Sequence, residues 1–367
     1  MKWCVPLAAL AGLLLSLNAQ AETHKLTLLV TGDNRGEVNH CGCSNKPLGG
    51  LSRRKVVIDQ ARAKGPTLML DAGNALFKNL ANTDEAKKRA EFILKTMSEL
   101  GTSAMAVGMW DLAAGPDFLK GAAKKANMKL VSANLTVKGK LVFEPSVVLK
   151  QGETRIGVVA VGPDVNNPDF PGLQGLPPVP AALAEAKKLK GKVDVVIVLA
   201  AIEAEQAAQL AREAGDSVDL VLQSGDMRQP TVPRKEGSAL FFSTGRRGQT
   251  VARVELDLSG QGPLVDMGQL TREEQSLALL EQQAVEARKR QAAARDEAQR
   301  KGYEESLKTF EARKAQVQAS IASLRGLPGR KLLLSTVQLG PDVADDPVLK
   351  AKVDEVEPPG SVKENRP

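Results

Sequence analysis

Beyond Cys4, the chain has only two cysteines, Cys41 and Cys43, one glycine apart in His40-Cys41-Gly42-Cys43. Pro47-Leu48-Gly49-Gly50-Leu51-Ser52-Arg53-Arg54 follows, a glycine-rich turn ending in basic residues. Thiolate is the reactive form of cysteine, and the nearby Lys46, Arg53 and Arg54 favour it. A Cys-x-Cys disulfide closes a small, strained ring that is easier to reduce than an ordinary structural bond. Three chemistries are open: a thiol–disulfide redox pair, a static disulfide that staples the loop, and metal or haem ligation together with His40. Ligation lacks a fourth donor in the local sequence, and the Cys-x-x-Cys-His haem signature is absent. Cys41 and Cys43 are therefore the candidate catalytic pair, and the partner they imply is a thiol–disulfide or electron-transfer protein.

The compartment expected from the N-terminus suits such a pair. Lys2, the apolar run from Val5 to Leu17 and the small-x-small sequence Ala19-Gln20-Ala21 read as a signal peptide over residues 1–21, cleaved before Glu22. No later segment is apolar enough for a stable membrane span, so the expectation is an exported, periplasmic protein in an oxidising space. The formal net charge of +7 is spread along the chain, and aromatic residues make up 3% of it. Tyr303 is the only tyrosine. Nucleic-acid binding, which wants clustered basic residues and aromatic stacking platforms, is not supported.

The elements that must position this chemistry alternate in type. Leu26–Thr31, Thr67–Leu70, Ala104–Val107, Lys129–Val131, Ile156–Val161, Val193–Ala200 and Leu220–Gln223 are short apolar runs with strand character. Helical patterns lie between them over Arg53–Ala63, Thr83–Leu100, Asp117–Ala126, Ala181–Leu189 and Ala204–Ala214. This alternation predicts an α/β layered domain over residues 22–265, closed by hairpin-like strands at Leu240–Ser243 and Thr250–Leu258. Residues 266–330 are rich in Ala, Glu, Gln, Lys and Arg and predict a helical hairpin or coiled-coil appendage, with a kink or turn at Lys301-Gly302-Tyr303. Residues 331–367 read as a partly disordered tail.

Several blocks, in order, resemble the N-terminal domain of the periplasmic 5'-nucleotidase and UDP-sugar hydrolase family, within the calcineurin-like metallophosphoesterases. They are Thr31-Gly32-Asp33-Asn34-Arg35-Gly36, Gly49-Gly50-Leu51-Ser52-Arg53, Asp71-Ala72-Gly73-Asn74, Gly108-Met109-Trp110-Asp111, the strand running to Ala201, and Gly225-Asp226-Met227-Arg228. Cys-Gly-Cys followed by Pro-Leu-Gly-Gly-Leu is similar to a Cys-x-Cys-bearing subgroup that includes selenoproteins. The resemblance implies a four-layer α/β/β/α sandwich and a site for two divalent metals that activate a water for attack on phosphorus.

This chain departs from that ligand set. Asp33 matches a ligand position, but Arg35 stands for a histidine, Asn74 for the bridging aspartate, Met109 for an asparagine and Trp110 for the catalytic histidine. Ala201, Asp226 and Arg228 stand for three more histidines. Asp33, Asn74 and Asp226 are thus remnant metal positions, while Arg35, Arg53 and Arg228 are candidate anion-binding residues. Gly245-Arg246-Arg247-Gly248 reads as an anion-binding turn or a hairpin connection, and Trp110 as core or a stacking surface. The implied protein keeps the scaffold, has lost two-metal phosphohydrolase chemistry and carries a thiol redox or metal-binding loop. A divergent metal-dependent phosphoesterase is one alternative, and the only one that calls for divalent metal ions. A binding or assembly protein acting through the helical appendage is the other.

Overall fold

A computed structural model describes residues 24–40, 46–164, 172–225 and 232–358. In chain order its elements begin with β1 (Lys25–Thr31), α1 (Leu51–Arg62), β2 (Thr67–Asp71), α2 (Asp84–Glu99), β3 (Thr102–Ala106) and α3 (Pro116–Ala126). Strands β4 (Leu130–Val131), β5 (Leu135–Val137), β6 (Lys140–Leu141), β7 (Ser146–Gln151), β8 (Thr154–Val161) and β9 (Leu173–Gly175) follow. Next come α4 (Pro178–Leu189), β10 (Val195–Ala200), α5 (Ala204–Glu213), β11 (Leu220–Gln223), β12 (Arg234–Glu236), β13 (Ala239–Ser243), β14 (Thr250–Asp257) and β15 (Leu264–Asp266). The chain finishes with α6 (Gly268–Ala292), α7 (Glu297–Arg325), β16 (Arg330–Gln338) and α8 (Pro347–Val356).

Side-chain alternation along the strands builds the layers. One sheet runs β15-β16-β14-β1-β2-β3-β4 and a second runs β12-β13-β11-β10-β8-β7. In β1, Leu28 and Val30 join the core between the sheets, with Ile156, Ile197 and Leu222 from the second sheet. Leu29 points the other way, into the layer formed with Ile58, Ile93 and Leu119 of α1, α2 and α3. On the far side, Val198 and Val221 pack on Ala186 of α4 and Leu210 of α5. Strands that bury both faces are continuous apolar runs, which is why they are legible as strands. The expected α/β/β/α sandwich is the fold observed.

The helices start and stop where local chemistry dictates. Thr83 accepts from the Ala86 N–H at the start of α2, and Asp296 and Asp346 do the same for Gln299 and Leu349 in α7 and α8. Pro116 opens α3, and Asn127, in a left-handed conformation, closes it.

Three expectations differ from the structure. Leu240–Ser243 and Thr250–Leu258 do not form a hairpin: β13 lies parallel to β11 in one sheet, whereas β14 pairs antiparallel with β1 in the other. The turn between the long helices falls at residues 293–296, and Gly302 lies inside α7. A single helical glycine costs about 1 kcal/mol, too little to break a long helix, while Asp296 supplies a cap that starts one. Most consequentially, residues 331–358 are not a tail. β16 pairs along its length with β14, and α8 packs Leu349 and Val353 into the α1 layer. The helical hairpin is thus an excursion between β15 and β16. Leu280, Val317 and Ile321 form its small core, and Arg288–Glu311 and Arg325–Glu274 ion pairs at 2.7 Å link its arms. The apolar positions of β16 are few because one strand of an existing sheet needs little more than Leu332 and Leu334 to join the inter-sheet core.

Candidate functional site

A cleft of about 660 Å³ opens at the carboxyl ends of the central strands of both sheets. This is where open α/β sheets present ligand-binding loops. Arg35 follows β1, Asn74 follows β2, Met109 and Trp110 follow β3, Ala201 follows β10, and Gln223 ends β11; all six line the cleft. The turns are tight. Asp33, Arg35 and Asn74 all have positive φ, at 50°, 53° and 59°, a region that costs an L-residue free energy and concentrates at functional sites. Gly108 is required for the approach of β3 to β2: a Cβ there would lie 2.1 Å from the Asn74 Oδ1.

Arg35 dominates the cleft electrostatically. Its Nε donates to Asp33 Oδ1 at 2.5 Å, and its guanidinium lies 4.3 Å from the Trp110 ring centroid. Burial pushes the Asp33 carboxyl above its ordinary value, against the opposing pull of Arg35. The Asp33 N–H donates to Ser224 Oγ at 3.1 Å, and that hydroxyl donates to the Gly73 carbonyl at 2.8 Å. Asn74 is equally committed. Its Oδ1 accepts from the Trp110 N–H at 3.3 Å, and its Nδ2 donates to Ser224 Oγ at 3.4 Å.

These donors do not suit a pair of divalent cations. Such ions need several oxygen or imidazole ligands with free lone pairs. Here the buried carboxylate at a ligand position, Asp33, is neutralised by an arginine whose charge opposes a cation at the same place, and the other two carboxylates of the cleft, Asp164 and Glu203, are exposed. Asn74 spends its oxygen on a backbone amide, and Met109, Trp110 and Ala201 offer no hard donor. Among the described residues no group of three or more His, Cys, Asp or Glu is arranged to hold a metal.

Two buried carboxylates support the floor. Asp111 accepts from the N–H groups of Asn74 (2.7 Å), Gly108 (2.8 Å), Ala75 (2.7 Å) and Leu76 (3.0 Å), and so fixes the turn that carries Asn74. Burial pushes its carboxyl up to about 7, with the Asp71 charge adding to the rise and the backbone donors opposing it. Asp71 accepts from Thr31 Oγ1 at 2.6 Å and from the Gly73 N–H at 2.9 Å. The charge balancing Asp71 comes from Arg54, which is fully buried and donates to Asn34 Oδ1 at 2.6 Å.

Arg53, expected to bind anions, has a different role. It is buried, and it donates to the Pro47 and Leu339 carbonyls at 2.7 and 3.2 Å, which ties the start of α1 to the end of β16. One terminal nitrogen makes both bonds, and its Nε lies 3.8 Å from Asp345 Oδ2, so the guanidinium is turned into the fold rather than towards the cleft. Cys41, Cys43, Asp226 and Arg228 lie outside the described residues. The flanks of the cysteine segment are firmly held. His40 pairs with Gly49 in an isolated bridge, and its Nε2 lies 2.8 Å from Asp345 Oδ1. Ser52 Oγ donates to the same oxygen at 2.5 Å. Gly245-Arg246-Arg247-Gly248 connects β13 to β14, and Arg247 pairs with Glu37 at 2.6 Å.

Asp345 gives this anchor a pH dependence. Burial raises its carboxyl, but hydrogen bonds from Ser52 and His40 and the charges of His40 and Arg53 outweigh burial and hold the group below its ordinary value. A depressed carboxyl contributes stability that is present above its unfolded pKa, about 4, and is lost as pH falls through the folded value. Urea denaturation between pH 6 and pH 3 is expected to show a steeper acid loss for the wild type than for Asp345→Asn; parallel profiles would remove Asp345 from the account.

Comparison with known proteins fits this architecture. No family model matches the chain. A 5'-nucleotidase of Vibrio cholerae is 30% identical over 212 residues, covering 53% of this chain and 37% of that protein. The crystal structure of a 5'-nucleotidase precursor from Thermus thermophilus superimposes with a TM-score of 0.53 at 26% identity, over 63% of this chain and 51% of that one. The calcineurin-like phosphoesterase YfkN of Bacillus subtilis, at 19% identity and a TM-score of 0.52, shares the fold. The chain has the calcineurin-like metallophosphoesterase fold. It is similar to 5'-nucleotidases but spans about a third of the length of the curated relatives it matches, 37% and 28% for the first two.

Proposed function

We propose that this chain is an exported protein of the metallophosphoesterase fold in which an arginine-centred anion-binding cleft replaces the two-metal hydrolytic site. Its chemistry resides instead in Cys41 and Cys43. The observation that carries the first part is the convergence of Arg35, Asn74, Met109, Trp110 and Ala201 on one cleft. These are the positions that the family resemblance gives to metal ligands and the catalytic histidine, so the cleft is the ancestral one with its donors exchanged. A guanidinium there favours an anion over a cation. Export is supported by the signal-like residues 1–21 and by the relative named as a precursor. Among the described residues no helix is long and apolar enough to cross a membrane.

The cysteine pair would exchange with a partner disulfide. One thiolate attacks the partner's sulfur to give a mixed disulfide. The second thiolate then displaces the partner, which leaves with the electron pair and takes up protons as a dithiol. Lys46 and the glycine turn flank the pair in sequence, and a glycine between the cysteines would relieve part of the strain of a disulfide ring.

With Mn²⁺, Mg²⁺ or Zn²⁺ supplied, hydrolysis of AMP, UDP-glucose and aryl phosphates is expected to stay near background, while thiol counting shows two groups that reoxidise reversibly. Robust turnover lost in Asp33→Ala would overturn the reading in favour of a phosphoesterase. A pair that resists mild reductant, and whose loss melts the fold, would make the cysteines a staple.

A further inference from the structure

Among the described residues, the cleft holds one buried group that has no hydrogen-bond partner. Gln223 is 2% exposed, and its Nε2 donates to the Ile202 carbonyl at 3.0 Å and the Ser224 carbonyl at 2.5 Å. Those two acceptors fix the orientation of the amide, because the flipped form would set its oxygen against two carbonyl oxygens. Gln223 Oε1 is left as a buried acceptor without a partner, on a residue that lines the cleft. Buried polar atoms are rarely left so, and an exception calls for a functional account.

The other group available to a ligand is Arg35. Asp33 takes its Nε and Trp110 supports its flat face, so its terminal nitrogens remain for an anion. The floor between Arg35 and Gln223 is closed to further recognition. Asn74 accepts the Arg35 N–H on its carbonyl at 3.0 Å and donates to Ser224 Oγ, which in turn donates to Gly73. At the mouth stand two exposed carboxylates, Asp164 and Glu203. They repel ligands with several negative charges and tolerate one with a single charge that Arg35 neutralises.

We propose that the cleft binds a small organic monoanion carrying a hydroxyl or amine donor, with the anionic group on Arg35 and the donor on Gln223 Oε1. This rests on the metal-free reading of the cleft and adds what that reading lacks, the chemical class of the ligand. The charge at the mouth disfavours nucleoside polyphosphates, and simple carboxylates leave Gln223 unsatisfied. A site built to accept a hydrogen bond discriminates strongly against an analogue lacking the donor.

Calorimetry on the full exported chain tests this with matched probes: lactate against propionate, 4-hydroxybutyrate against butyrate, and ATP. The hydroxylated acid of each pair is expected to bind at least about tenfold more tightly than its partner, and ATP no better than the plain acids. Arg35→Met should abolish binding of every acid. Gln223→Met should remove the hydroxyl preference, so that lactate and propionate bind alike. The wild-type pairs carry the test even if Gln223→Met does not fold. Equal binding within both pairs, tighter binding of ATP, or no binding of any acid would overturn the proposal. Metal-dependent hydrolysis that requires Asp33 would instead overturn the reading beneath it.

Discussion

Replacing Asp111 with alanine is expected to lower stability by roughly 3 kcal/mol or more, although Asp111 makes no ion pair that sequence patterning would suggest. Its two oxygens accept four backbone N–H groups, from Asn74, Ala75, Leu76 and Gly108, at 2.7–3.0 Å, and its side chain has no exposure. Removing it leaves those amides without acceptors where water cannot readily reach them. Each buried unsatisfied group costs about 1–3 kcal/mol before the structure relaxes. For a chain of this size that corresponds to a fall in melting temperature of roughly 4 °C or more. Asp111→Asn should lie between alanine and wild type, because its oxygen keeps two of the bonds while its NH₂ faces two donors. Thermal denaturation of the three proteins checks the order. An alanine variant as stable as wild type would mean that the turn carrying Asn74 holds itself.

Arg54→Met should be comparably damaging, for a different reason. Arg54 and Asp71 are both completely buried, and burial pulls them in opposite senses, the guanidinium down and the carboxyl up, each stabilised by the charge of the other. Deleting one member of such a pair strands the other charge in the interior, which costs about 3–5 kcal/mol, whereas deleting both costs far less than the sum. The Arg54→Met/Asp71→Asn double variant is therefore expected to recover at least about 1 kcal/mol relative to additivity, measured by equilibrium denaturation. Strict additivity would mean that the pair is not coupled and that Arg54 acts only through Asn34, its 2.6 Å partner.

Both predictions concern roles that the sequence does not show. Asp111 looks like one more polar residue after an apolar strand, and Arg54 like the second of two basic residues at a helix start. Their roles come from contacts across 35–37 positions of chain in one case and between different layers in the other. Gln223 belongs with them: it reads as the polar end of a strand, and only the placement of Ile202 and Ser224 against its amide nitrogen leaves its oxygen orphaned. Arg53 shows the converse. Its neighbourhood in sequence pointed to anions, but the carbonyls of Pro47 and Leu339 reach it first.

What the amino-acid sequence determined by itself was the alternation of strands and helices from Lys25 to Gln223 and, from it, the layered α/β class. Strands buried on both faces must be continuously apolar, and helices covering the outer face of a sheet must show one apolar face, so burial writes both into the local pattern. That the positions after β1, β2, β3 and β10 meet at one site was implied by the family resemblance, and these residues line one cleft. What tertiary structure alone decided was where β13, β14 and β16 go, and which polar groups remain free. Sheet membership is a choice of partner, and a strand such as β16 carries no mark of the neighbour it will find. A hydrogen-bonding group is satisfied or orphaned by residues distant in the chain, so Arg53 was spent inside the fold and Arg35 and Gln223 were left facing the cleft.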